Sequence, residues 1–405
     1  MDLKSGYPYW AIKNGLLSPF PALAGNLACE VAVIGGGITG ALIADHLQAA
    51  GHEVAVIEQG EIGWGSTAAS TALLQYEIDT PLLDLANRVG AQDAALAYLA
   101  CAQALDQLRG LAAGLRDVGF AWTDSLYLAT RRRECDGLAQ EAAARHRLGL
   151  RIDYLGSGAL AERFGISRPG ALLSHQAARV DPYRMAHRLL QRLQARGASV
   201  HGHTPIVELQ PQARSVRLRT GHGGWVRARH AILATGYAAQ QWLRERVARN
   251  HSSYAFVSDP IAPEALGFLE HTVLWETARP YLYLRTTPDH RLIVGGEDDR
   301  IDIPARRDAR VMKKARALSH KLGKLLPHLQ CAPAFAWAGT FAETEDGLPF
   351  FGPHPQYGPR VHFAMAYGGN GITYSRIGAD LLLAAIERRR HPLAELFSFA
   401  RLARP

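Results

Sequence analysis

From Glu30 to Glu58 the chain passes through two hydrophobic rhythms. "EVAVIGG" is a continuous, β-branched apolar run closed by glycines, which predicts a buried strand. From Ile38 the apolar residues recur at helical spacing (Ile38, Leu42, Ile43, Leu47), and Gly51 stands just past the expected helix end. "EVAVIE" then reads as a second strand, so the stretch predicts one βαβ unit. Two later segments repeat the strand-to-glycine-turn pattern, "ARHAILATGYAA" and "VHFAMAYGGNGITYSRIGADLLLAAI". Outside these segments lie alanine-heavy helical text from Pro81 to Leu115 and strand-like runs such as "FAWTDSLYLAT" and "PYLYLRTTPDHRLIVGG". In the last of these, Tyr281, Tyr283 and Arg285 alternate with Leu282 and Leu284 and therefore share one strand face.

The first unit carries chemistry. Gly35, Gly37 and Gly40 form GxGxxG after a strand and at the opening of a helix, the context that gives this motif meaning. Gly35 allows the tight turn, Gly37 lets a pyrophosphate approach the backbone, and Gly40 lets helix and strand pack closely. The phosphates would rest on the helix start, at Ile38 and Thr39, where free N–H groups and the dipole favour negative charge. Glu58 ends the second strand, where a carboxylate binds the adenosine ribose hydroxyls and disfavours a 2′-phosphate. A dinucleotide other than NADP is expected.

The glycine motif does not separate NAD from FAD; later stretches point to FAD. "GWGSTAASTALL" supplies Gly65, Ser66, Thr67, Ser70 and Thr71, which either cap the next helix or donate to phosphate, ribitol or flavin ring. Thr235 and Gly236 end a buried strand. Gly369, Asn370, Gly371, Ile372 and Thr373 form a turn and helix start that would stabilise negative charge near N1 of a reduced flavin.

Composition excludes several classes. The 405 residues are 48% hydrophobic and 20% charged, as in an ordinary globular chain, and contain no run of about 18 apolar residues that would cross a membrane. The N-terminal text lacks the apolar core of a secretory signal, so a cytoplasmic location is expected. Cys29, Cys101, Cys135 and Cys331 are scattered, and neither they nor the histidines show metal-ligand spacing. No metal is expected. The net charge of +8 is spread along the chain, with short clusters only at Arg131–Arg133 and Arg388–Arg390, so nucleic-acid binding is not expected.

Taken together, these segments resemble the D-amino-acid oxidase superfamily of FAD-dependent oxidoreductases, with a pattern closest to its gamma-glutamylputrescine oxidase and glycine oxidase branch. "HTPIVEL" resembles the strand whose backbone contacts adenine, at Ile206, and "WAGTFAETEDGLPFFGPHP" resembles the closing motif. The resemblance implies an α/β fold: a Rossmann-like FAD-binding domain of the glutathione-reductase type, interleaved with a substrate domain built on an antiparallel β-sheet. It implies FAD segments at 25–80, 175–240 and 340–405, substrate segments at 81–174 and 241–339, and an N-terminal extension at 1–24. It also implies oxidation of an amine C–N bond by hydride transfer to flavin, with O2 or another acceptor taking the electrons.

One departure bears on substrate. Glycine oxidase-like sequences place a carboxylate-binding arginine between the W-x-G and the D-G-x-P of the closing motif; laid without gaps on "WAGTFAETEDGLP", that position is Phe341. Phe341 either packs as core or lines a site for an amine lacking an α-carboxylate. Arg285, with Tyr281 and Tyr283, is the candidate replacement anchor if their strand face lines the cavity. No cysteine falls between Trp337 and Glu345, where the covalently flavinylated sarcosine oxidases carry theirs, so non-covalent FAD is expected. The competing readings are a flavin dehydrogenase of a hydroxy acid or polyol, an RNA-associated flavoprotein, and a dinucleotide-binding regulator without turnover.

Overall fold

A computed structural model describes residues 2–300, 302–365 and 367–403. Among these residues the chain builds two large sheets. The first has eight strands and a parallel centre: Val361–Met365, Trp225–Leu233, Leu27–Ile34, Val54–Ile57 and Ser199–His201 lie side by side in that order. Phe350–Pro353 adds an antiparallel edge, and Ile206–Pro211 and Val216–Thr220 form a ribbon on the Trp225–Leu233 strand.

The "EVAVIGG" expectation is realised in the Leu27–Ile34 strand, which runs into the helix Ile38–Ala49. Val31, Ala32 and Val33 are fully buried because helices cover one sheet face, while the ribbon and short turns around Ala239 and Phe399 cover the other. On one face Ile38–Ala49 packs against Pro182–Ala195 and Gly371–Ile386. Buried Asp45 fixes the first of these contacts, accepting hydrogen bonds from Nε and Nη2 of Arg192 at 2.9 and 2.7 Å.

The second sheet has ten strands and draws on residues throughout the chain. Most of its pairs are antiparallel, as expected, but Thr272–Glu276 lies parallel to Ala121–Leu128. A parallel pair needs a long crossover; here the chain traverses much of the first sheet between these two strands. The helix Val311–Leu325 covers the outer face, burying Leu318 and Leu322. The inner face looks toward the first sheet. The N-terminal residues join this architecture: Lys4–Gly6 pairs with Phe335–Glu343, and the short helix Tyr9–Asn14 buries Trp10. No helix among the described residues is long and apolar enough to cross a membrane.

Candidate active site

The site begins at the turn after Leu27–Ile34. Gly35 sits at φ +117°, and a Cβ there would lie 2.3 Å from the carbonyl oxygen of Ala234, so the neighbouring strand end leaves no room for a side chain. A Cβ on Gly40 would lie 1.9 Å from the oxygen of Gly35, which enforces the close passage of helix under turn. At Gly37 the nearest atom is Thr67 Oγ1, which also accepts the Ile38 N–H at 2.9 Å. Thr67 thus lies directly on the helix start. Glu58 accepts from the Gly36 N–H at 2.7 Å and the Gly60 N–H at 2.9 Å. Burial raises its pKa, and those N–H groups oppose the rise.

A cavity of about 420 Å³ opens at this turn and runs between the two sheets. Of the residues expected to hold a cofactor, all but Gly40 line it, from Gly35 and Glu58 through Ser66–Thr71, Ile206 and Thr235 to Gly369–Thr373. Gly40 lies beneath the turn, where it acts through packing. Two buried hydroxyl oxygens in these lining residues, Ser66 Oγ and Thr235 Oγ1, have no partner among the described residues. A long ligand rich in hydroxyl and phosphate oxygens fits that donor set.

The far wall is the inner face of the ten-strand sheet. Pairing aligns Phe341, Gly339 and Trp337 with His251, Ser253 and Ala255, and Ala255 in turn with Gly295, Tyr283 and Trp275. Tyr281 and Tyr283 line the cavity with ring centroids 5.4 Å apart. The Tyr283 ring lies over Gly295, where a Cβ would come within 2.4 Å of it. Phe341 is half-buried and faces the His251 ring at 5.4 Å. Trp337 and Trp10 anchor the intervening loop, donating indole N–H bonds to the carbonyls of Ala69 and Ser70 at 2.8 and 2.7 Å.

The family model for FAD dependent oxidoreductases, DAO, matches residues 30–385. The chain belongs to the DAO family. Among relatives of this DAO-family oxidoreductase, glycine oxidase of Geobacillus kaustophilus is 27% identical, covering 92% of this chain and 96% of the relative. Gamma-glutamylputrescine oxidoreductase of Escherichia coli is 24% identical, covering 94% and 89%. The crystal structure of a glycine oxidase from Geobacillus kaustophilus superposes with a TM-score of 0.73 at 23% identity, over 92% of this chain and 98% of that one, so the fold is shared.

Within the DAO-family site, Arg285 is not where it was expected. It shares the strand face of Tyr281 and Tyr283, but at its level that face is covered by the helix Tyr9–Asn14 and the cavity has ended. Its guanidinium stacks on the Trp10 ring at 4.9 Å and donates to the Val180 carbonyl at 2.9 Å. Burial beside Arg179 lowers its pKa to about 9. Arg285 is a buried cation that lies outside the cavity lining. No described residue lining the cavity is an arginine, a histidine or a cysteine.

The sequence reading missed Glu77, Asp79, Trp275 and Ser253, all of which line the cavity. Asp79 accepts the Gly369 N–H at 2.7 Å, and Tyr237 donates to the Gly368 carbonyl at 2.9 Å, which fixes the turn before Gly371–Ile386. Trp275 stacks on Tyr127 with centroids 3.8 Å apart. The usable signal was alternation in "TVLWE", which puts Trp275 level with Tyr283 once the two strands pair.

Proposed function

We propose that this oxidoreductase holds FAD non-covalently and oxidises the C–N bond of an amine that lacks an α-carboxylate. The carrying observation is the make-up of the cavity wall: no arginine lines it among the described residues, and Phe341 stands where the resemblance places one. An α-carboxylate buried there would have no bidentate partner. An amine instead meets the faces of Tyr281, Tyr283 and Trp275 and the carboxylate of Asp79, a set that suits a cation on entry.

For the cofactor, the N-terminus of Ile38–Ala49 suits the pyrophosphate. Glu58 suits the adenosine ribose, Ile206 the adenine, and Gly369–Thr373 the flavin. The absence of cysteine and histidine from the described lining supports non-covalent binding. When bound, FAD supplies a two-electron acceptor for hydride from the carbon beside nitrogen. The aromatic wall excludes water and desolvates the ammonium, lowering its pKa toward the neutral amine that reacts. Loss of hydride from the neutral amine leaves an iminium, which water hydrolyses to a carbonyl compound and an amine.

The test is anaerobic bleaching of the yellow holoenzyme by a donor panel: polyamines and their acyl derivatives, N-methyl amines, D- and L-amino acids, and 2-hydroxy acids. Bleaching by amines without an α-carboxylate is expected. Bleaching only by amino acids or hydroxy acids would overturn the reading.

A further inference from the structure

The strand Leu292–Asp299 ends irregularly. Ser252 pairs with Asp299 and Tyr254 with Gly296, so Glu297 and Asp298 together oppose the single residue Ser253. Gly296 and Glu297 both have positive φ, at +131° and +57°. This is a β-bulge, a device that re-aims side chains and recurs beside active sites.

Its effect is to separate three consecutive acids. Glu297 pairs with Lys321 at 2.6 Å, and Asp299 pairs with Arg310 at 2.8 Å and Lys314 at 3.0 Å. Asp298 forms no ion pair among the described residues. Its Oδ1 is buried without a hydrogen-bond partner, and the bulge sets the residue opposite Ser253. Ser253 Oγ lies 3.2 Å from Tyr283 Oη. Either oxygen can donate in that contact; with the Ser253 proton turned to Asp298, Ser253 Oγ accepts from the Tyr283 O–H. Tyr283 and Thr71 both line the cavity, and Tyr283 Oη retains acceptor capacity on that side.

We infer that Tyr283, Ser253 and Asp298 form a proton relay that takes the proton from the substrate ammonium and so prepares the amine for oxidation. The inference rests on the amine reading above. In the step, a substrate N–H proton passes to Tyr283 Oη as the Tyr283 proton moves to Ser253 Oγ and the Ser253 proton to the Asp298 carboxylate. The amine becomes neutral, Asp298 becomes a carboxylic acid, and nothing is oxidised or reduced.

The electrostatics suit these roles. Desolvation by burial, with the like charges of Asp79 and Glu343, raises Asp298 to about 6, against the opposing Ser253 hydrogen bond and Arg279. Tyr281 and Tyr283 also face it, and burial pushes both phenols up, Tyr283 to about 12. Tyr283 therefore passes the proton on without holding charge. A carboxylate raised this far is a better acceptor than an ordinary aspartate, which narrows the gap to an ammonium that the aromatic wall desolvates. Tyr283 touches substrate; Ser253 and Asp298 act through it as positioning and relay residues.

The test is the pH dependence of the flavin reduction rate, measured by anaerobic stopped flow on holoenzyme with a saturating amine. Asp298→Asn and Ser253→Ala are each expected to slow reduction at least tenfold at neutral pH and to shift the acid limb upward. Both should converge on the wild-type rate at high pH, where the amine arrives neutral, and Ser253→Thr should restore the wild-type profile. An unshifted limb in Asp298→Asn, or a loss equal at every pH, with normal flavin content and FAD dissociation constant, would overturn the relay but leave the amine reading standing. A wild-type flavin bleached by no amine would overturn the amine reading, and the relay with it.

Discussion

Replacing Phe341 with arginine should convert the site toward amines that carry an α-carboxylate. Phe341 lies on the cavity face in register with His251, and its half-burial leaves room for a longer side chain to extend into the cavity. An arginine there would offer a charge-assisted, bidentate pair, and hydrogen bonds to charged groups contribute about 1.5–3 kcal/mol. At about 1.4 kcal/mol per decade, that is roughly 10- to 150-fold. Loss of the His251 ring contact affects every substrate alike, so it cancels in a ratio. Glu343, two residues along on the same face and about half exposed, would compete for the new guanidinium and argues for the lower end of that range. The assay is anaerobic stopped flow with matched pairs, sarcosine against dimethylamine and glycine against methylamine. The ratio of reduction rate over Kd within each pair should rise about tenfold or more toward the carboxylated member in Phe341→Arg. An unchanged ratio with full flavin occupancy would refute the assignment of Phe341 to the substrate wall.

Gly40→Ala should weaken flavin retention, because its Cβ would meet the Gly35 oxygen at 1.9 Å and push helix from turn; the flavin-to-protein absorbance ratio after gel filtration should fall. Arg285→Met should leave the reduction rate and substrate Kd unchanged and the melting temperature level or higher, since a buried cation stacked on Trp10 gives way to an apolar chain of similar volume; a large rise in Kd would restore Arg285 as a substrate anchor. The buried pair His230 and His362, 3.2 Å apart, should make the fold acid-sensitive. Burial lowers their pKa values to about 4 and about 3, whereas the unfolded chain protonates near 6.5. Their contribution to stability is therefore complete above about pH 6.5 and is lost as pH falls toward 4 and 3. His230→Gln should flatten the drop in urea midpoint between pH 7 and pH 5.

The glycine-turn end of the cavity was legible because its rules are local. A glycine spacing, an apolar run and an acid at a strand end each have one backbone consequence, and Gly35, Glu58 and Gly369–Thr373 lie along the cavity as expected. The substrate wall was only half legible. Alternation correctly put Tyr281, Tyr283 and Arg285 on one face, but what covers that face changes along its length, and the covering helix Tyr9–Asn14 comes from a segment read only as an extension. Asp298 was missed for a different reason. In "GGEDDR" the three acids look equivalent, and only a bulge against Ser253 distinguishes the middle one. Glu77 and Asp79 follow a three-residue strand, Leu73–Gln75, too short to announce its pairing with Gly170–Arg179.

The strand Lys4–Gly6 has a consequence for synthesis. Its partner is Trp337–Gly339, so these residues leave the ribosome early and wait for most of the chain before they can pair. The Trp10 indole can grip Ser70 much sooner, but Trp337 reaches Ala69 only at that late stage. The wall facing the cavity is thus closed by late long-range contacts, after the local glycine turn at Gly35 has been made. A nascent chain would form its glycine turn first and acquire a shaped cavity wall only after residues 337–339 have emerged.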